Sequence, residues 1–137
     1  MKTDNLVNGY VLTNLFYELM FLEEYEVDGA DEDWSNPDFT DELIRQFVSP
    51  RYLSMGQEAK VVVRNTLRFL LATESDGSER LDVIWQACSA PIPTPQGVRS
   101  FMSKVSDVLF PGEKPLSEEE ISNFRVNHDM QIANRLN

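Results

Sequence analysis

The chain contains one cysteine, Cys88, and one histidine, His128. A lone cysteine excludes an internal disulfide and fits a reducing compartment. One residue of each kind is also too few for a zinc site. The six glycines are scattered, so no clustered-glycine loop is available to cradle a phosphate. The longest apolar run, Tyr10–Leu22, is too short to span a bilayer and is broken by Asn14 and Glu18. At the N-terminus Lys2 is offset by Asp4, which is not a secretory pattern, and the expected location is the cytoplasm. There is no internal repeat and no hairpin signal. Between Glu23 and Glu42 there is no lysine or arginine at all.

What is present is a globular composition with a lopsided charge. The 137 residues are 42% hydrophobic and 26% charged, enough for one hydrophobic core and one domain over 1–137. The net charge is −11. Residues 1–50 hold twelve acids against only Lys2 and Arg45, whereas residues 51–137 hold eleven acids against ten bases. A field of that sign repels phosphate backbones and anionic lipids, which excludes nucleic acid and membranes as partners, and it attracts a basic protein surface.

Apolar spacing predicts an all-α, single-domain compact bundle of about six helices. The first is a mostly buried helix over Asn5–Glu24, with Gly9 as a weak point. A second, capped by Thr40 or Asp38, carries Leu43, Ile44, Phe47 and Val48 and is stopped by Pro50. Ser54 and Gln57 fit a capping box for a third, running to about Ser75, along which Lys60, Arg64 and Arg68 form one basic stripe. Ser78 caps a fourth, with Leu81, Ile84, Trp85 and Cys88 on one face. Thr94 and Pro95 open a fifth, with a stripe from Val98 to Leu109. Ser117 and Glu120 make a capping box for the last, on which Ile121, Phe124, His128 and Ile132 share a face.

Cys88 and His128 are the only nucleophile and imidazole. Both fall on apolar helix faces, which is the placement of a small core residue and a satisfied core-edge histidine rather than of a catalytic pair. The expectation is a non-enzyme with no cofactor and no metal. Asp31–Glu42 follows the outline of a calcium-binding EF-hand loop, with acids at positions one and three and Glu42 at twelve. It departs from it at Asn36, where the sharp turn wants glycine, and at Asp38.

The candidate site is the acidic stretch itself. Ten of its 20 positions, Glu23–Glu42, are carboxylates. Concentrating like charge opposes folding through self-repulsion. Tyr25, Trp34 and Phe39 sit among the acids, and aromatics of this kind anchor interfaces. The stripe Lys60, Arg64, Arg68 could alternatively pair with these acids within the fold. A small, cysteine-poor, helical, acidic chain with a carboxylate-and-aromatic surface resembles bacterial toxin immunity proteins of the colicin-nuclease and contact-dependent growth inhibition types. The likeness is one of composition and layout, with EEYEVDGADEDW as its focus. It implies a cytoplasmic inhibitor that binds a basic toxin domain. Glu23, Glu24, Asp28, Asp31, Glu32, Asp33 and Asp38 would stand in for phosphates, and Tyr25 and Trp34 would fix the docked pose. An adaptor binding through an apolar groove and a single EF-hand-like module remain the alternatives.

Overall fold

The computed structural model describes residues 3–25 and 36–136, with the main chain alone at 22–25. The described residues are mostly helical, joined by one minimal parallel sheet. A two-residue strand β1 (Leu6–Val7) leads into α1 (Val11–Leu15) and a 3-10 segment (Tyr17–Tyr25). Then come α2 (Pro37–Phe47), α3 (Ser49–Ser54), α4 (Gln57–Thr73), α5 (Glu79–Cys88) and α6 (Val98–Leu109). The chain ends with α7 (Glu118–Ser122), strand β2 (Arg125–Val126) and α8 (Met130–Arg135). Leu6 pairs with Arg125 and Val7 with Val126.

One core runs through these elements. α4 is the longest helix and packs against α6, β1 and α1. Its inward residues Val62, Val63, Leu67 and Leu70 meet Leu12 and Leu15 of α1, Leu81 and Ile84 of α5, and Met102 and Val105 of α6. Phe16, Trp85 and Phe101 form an aromatic triangle with centroids 5.7, 5.2 and 5.8 Å apart. Tilted and edge-on rings at such distances add to what burial alone contributes.

The starts of α5 and α7 match the sequence reading. Ser78 accepts from the Leu81 amide, and Ser117 and Glu120 form the reciprocal capping box. Other boundaries shift for identifiable reasons. Asn36, not Thr40 or Asp38, caps α2, accepting from the Asp38 amide with Pro37 in the first turn. Pro50 does not stop the helical path, because it falls in the first turn of α3, where no intrahelical N–H is needed. Ser54 turns its hydroxyl to Arg51 O and closes α3, so α4 starts from Gly56 instead of a capping box. α6 starts at Gly97, whose φ of 95° suits glycine, and not at Thr94.

The largest departures are at the two ends of the chain. The expected helix over Asn5–Glu24 is broken by the turn at Asn8–Gly9. Asn8 Oδ1 accepts from the Tyr10 amide at 2.9 Å, and this short-range bond competes with a helical path. The expected last helix is likewise divided, because 125–126 pairs with β1 and Asp129 restarts the helix by accepting from the Gln131 amide. Asn8 and Gly9 are buried, and their polar groups are matched by distant residues. Asn8 N–H donates to Thr66 Oγ1 at 3.1 Å, Asn8 Nδ2 donates to Asp129 O at 2.8 Å, and Gly9 N–H donates to His128 Nδ1 at 2.9 Å.

Gly9 is required here by close approach. A Cβ at this position would lie 2.4 Å from Ile84 Cδ1 and 3.2 Å from His128 Nδ1. Gly9→Ala is therefore expected to destabilise the protein by about 1–3 kcal/mol through overpacking. Ile84→Val, which removes that Cδ1, costs about 0.5–1.5 kcal/mol alone. Denaturant melts of the double variant should show a loss clearly smaller than the sum. Strict additivity would show that the contact with Ile84 is not what forbids a side chain at Gly9.

Candidate functional site

The acidic stretch is held by two described ends. On one side the 3-10 segment Tyr17–Tyr25 carries the main chain of Glu23, Glu24 and Tyr25, with a kink at Phe21. Tyr17 and Phe21 stack edge-on at 5.2 Å, and the Arg51 guanidinium lies 5.0 Å from the Tyr17 ring centroid. Arg51 also donates to the carbonyl and side-chain oxygens of Asn14, which ties α3 to the end of α1. On the other side α2 begins at Asn36–Pro37 and buries Leu43 and Ile44 in the core. Both anchors are thus rooted in packed structure.

Of the nine candidate residues, Asp38 has a described side chain. It is exposed in the first turn of α2, where a carboxylate is favoured by the helix dipole. The side chains of Glu23, Glu24 and Tyr25, and all of Asp28, Asp31, Glu32, Asp33 and Trp34, lie outside the described residues. Two further acids of the stretch are described. Asp41 meets Lys104 at 3.6 Å, and Glu42 accepts from Gln46 Nε2 at 3.0 Å.

The helix beginning at Pro37 bears on the calcium reading. Loop positions seven to twelve, Pro37–Glu42, are already helical, so the helix begins at position seven, where the EF-hand outline takes a loop carbonyl as ligand. Among the described residues no group of three metal-ligating side chains comes together.

The basic stripe serves the fold. Arg64 and Arg68 converge on the carboxylate of Glu113, beyond the turn at Pro111–Gly112, with Arg68 Nε 2.9 Å from Glu113 Oε1. Arg68 also donates to Lys114 O at 3.2 Å, and Lys60 Nζ lies 5.8 Å from the Tyr52 ring centroid. The stripe was legible as spacing, but its acceptor lies more than forty residues away, and nothing local in the sequence announces Glu113.

Cys88 and His128 both occupy structural positions. Cys88 Sγ is 3.3 Å from Ile84 O, and burial pushes the thiol up to about 12. His128 is half-buried on the extended segment after β2, not on a helix as expected. Its Nδ1 accepts the Gly9 N–H, which fixes the tautomer with the proton on Nε2. Burial, and then Arg80, lower its pKa from the usual imidazole value, with Glu74 opposing.

The large apolar side chains exposed among the described residues are Tyr17, Met20, Leu53, Val83, Val126 and Met130. They are distributed over several elements, with one on α5 and none on α6, and no cluster of exposed Phe or Met marks an apolar groove among the described residues. An apolar hollow between α2, the 92–97 connector and α6 holds only about 40 Å³. No described helix is long and apolar enough to cross a membrane. No protein-family model matches the chain, and comparisons with curated proteins and with solved structures give no significant match.

Two expectations follow for the lone histidine and the lone cysteine. A lowered folded pKa means that the unfolded chain binds the imidazole proton more readily. Stability from this contact is complete above about pH 6.5, the unfolded imidazole value, and declines as pH falls through the lower folded value. Urea midpoints between pH 7.5 and 5.5 should show this decline, and His128→Gln should flatten it. Cys88 should resist thiol-alkylating reagents at pH 8 in the native protein and react promptly in denaturant, as mass spectrometry would show.

Proposed function

We propose that the protein is a non-enzymatic cytoplasmic inhibitor that binds a basic partner through the 23–42 acidic segment, an immunity protein that neutralises a nuclease-type toxin domain. The observation that carries this reading is the segment's charge, ten carboxylates with no lysine or arginine in 20 residues, in a chain whose other 117 residues hold thirteen acids against twelve bases. The placement of the bases supports it. Arg64 and Arg68 are engaged by Glu113, Arg51 by Asn14, and Arg99 by the carbonyls of Leu71 and Glu74, so these guanidiniums have structural partners elsewhere.

In this reading Glu23, Glu24, Asp28, Asp31, Glu32, Asp33 and Asp38 present a field like that of a phosphate chain to a nucleic-acid site. Long-range attraction accelerates encounter, and Tyr25 and Trp34 hold the docked pose by apolar contact. The rooted ends of the segment lessen the ordering cost of association.

The natural probe is a nuclease-type toxin domain encoded beside this chain, mixed with it in stopped-flow at low and physiological salt. Association should be fast at low salt and slow steeply as salt rises. Replacing Asp31, Glu32 and Asp33 by Lys should reduce the rate at low salt by about tenfold or more and shallow the salt dependence. Identical rates for the two proteins at both salts would remove the steering role, and survival of nuclease activity in the complex would remove the inhibitor role.

A further inference from the structure

Three of the six exposed large apolar side chains lie on two elements that touch, at one root of the acidic segment. Tyr17 is 43% exposed, Met20 38% and Leu53 68%. Tyr17 and Met20 stand three apart in the 3-10 segment, ahead of the kink at Phe21, and residues at that spacing share a face. Leu53 is on α3, two residues beyond Arg51, whose guanidinium lies over the Tyr17 ring. Apolar side chains exposed singly need no partner, whereas exposed apolar surface gathered beside charge marks contact sites.

The Tyr17 ring is exposed yet fixed. Phe21 stacks edge-on against it at 5.2 Å, Arg51 lies 5.0 Å from its centroid, and Arg51 is itself anchored by Asn14. A ring ordered before binding loses little entropy on docking, and tyrosine is enriched among the residues that dominate interface energies. An open groove of about 320 Å³ adjoins it, lined by Glu18, Gln46, Phe47, Pro50, Arg51 and Ser54. The Pro50, Arg51 and Ser54 wall belongs to the helix that carries Leu53.

Size and charge together name the occupant. A protein interface of ordinary size takes about 20–30 residues of each partner, so a protein docked on the acidic segment also covers structure flanking it. Of the two described roots, α2 carries none of the exposed large apolar side chains, and the 3-10 segment with α3 carries these three. Tyr17–Tyr25 also holds Glu18, Glu23 and Glu24 and no lysine or arginine. Apolar exposure and negative charge thus run along one element into the acidic segment, and Arg51, the cation of this face, is taken up by Asn14 and Tyr17. The complementary surface is apolar and flanked by cations.

We propose that Tyr17, Met20 and Leu53, around this groove, form the apolar half of the docking surface for a basic protein, which meets them with apolar side chains flanked by lysine or arginine. This surface presupposes the binding of a basic partner by the 23–42 segment. The carboxylates govern encounter, and the apolar face governs how long the complex lasts.

The test uses the full chain and the nuclease-type toxin domain encoded beside it, with association followed by stopped-flow and dissociation by chase with unlabelled chain. Met20→Ser and Leu53→Ser should each speed dissociation by about tenfold and leave the association rate and its salt dependence in place. Both side chains are exposed, so urea midpoints should stay at the native value. Met130→Ser, which removes a comparably exposed apolar side chain from α8, should change neither rate. Binding by the native chain with dissociation unchanged in both variants would overturn this face and leave the acidic surface standing. Equal acceleration by Met130→Ser would overturn its placement, and no binding by the native chain would overturn both the face and the acidic surface.

Discussion

The structure depends on satisfying the backbone of a buried N-terminal strand. Leu6, Val7 and Asn8 are each fully buried, so their main-chain groups have no water to turn to. Leaving such a group unpaired costs about 1–3 kcal/mol. Every neighbour of this strand is arranged accordingly. Asn65 Nδ2 donates to Asp4 O and Leu6 O, and Thr66 Oγ1 bonds both the N–H and the carbonyl of Asn8. From the far end of the chain, the Arg125 and Asn127 amides donate to Asn5 O and Val7 O. The polar pair Asn65–Thr66 in the buried face of α4 and the extended form of 125–129 are both consequences of this one requirement.

This dependence explains what could and could not be read along the chain. Ser78, Ser117 and Glu120 set helix ends through bonds that reach three residues, and such spacing is visible in sequence. The apolar stripes of α4, α5 and α6 are visible for the same reason, since period alone decides which face is buried. Leu6 and Val7 carry no local mark of a strand. Their partner is more than a hundred residues away, and the run from Leu6 to Leu22 has helical spacing throughout. Gly9 registers in sequence only as a propensity penalty, whereas its role is the approach of Ile84. His128 reads as one more member of an apolar helical face, because the amide it accepts is set by tertiary packing. The acidic segment was legible as composition, which needs no partner to be seen. The destination of Arg64 and Arg68 was not, since Glu113 is brought to them by a turn.

The arginines share a second pattern that links fold to charge. The C-cap residues of α1 and α4 are Phe16 and Glu74, so neither end has a glycine cap. In each case a guanidinium from another helix takes the free carbonyls. Arg51 serves Asn14 near the end of α1, and Arg99 serves Leu71 and Glu74 at the end of α4. A cation there is favoured both by hydrogen bonding and by the helix dipole. The same side chains lock helix to helix, so they define packing angles as well as ends.

The charge asymmetry follows from how these cations are placed. Arg51, Arg64, Arg68 and Arg99 are committed to carbonyls and to Glu113, tasks that a lysine's single flexible ammonium performs less well. Among the described ion pairs, the one that reaches the 23–42 stretch joins Asp41 to Lys104. Asp41 lies on α2 and meets α6, and in sequence it stands apart from the carboxylates between Glu23 and Asp33. Among the described residues, these four arginines hold the helical body through Asn14, the carbonyls of Leu71, Glu74 and Lys114, and Glu113. The like charge concentrated between Glu23 and Asp33 opposes folding through self-repulsion.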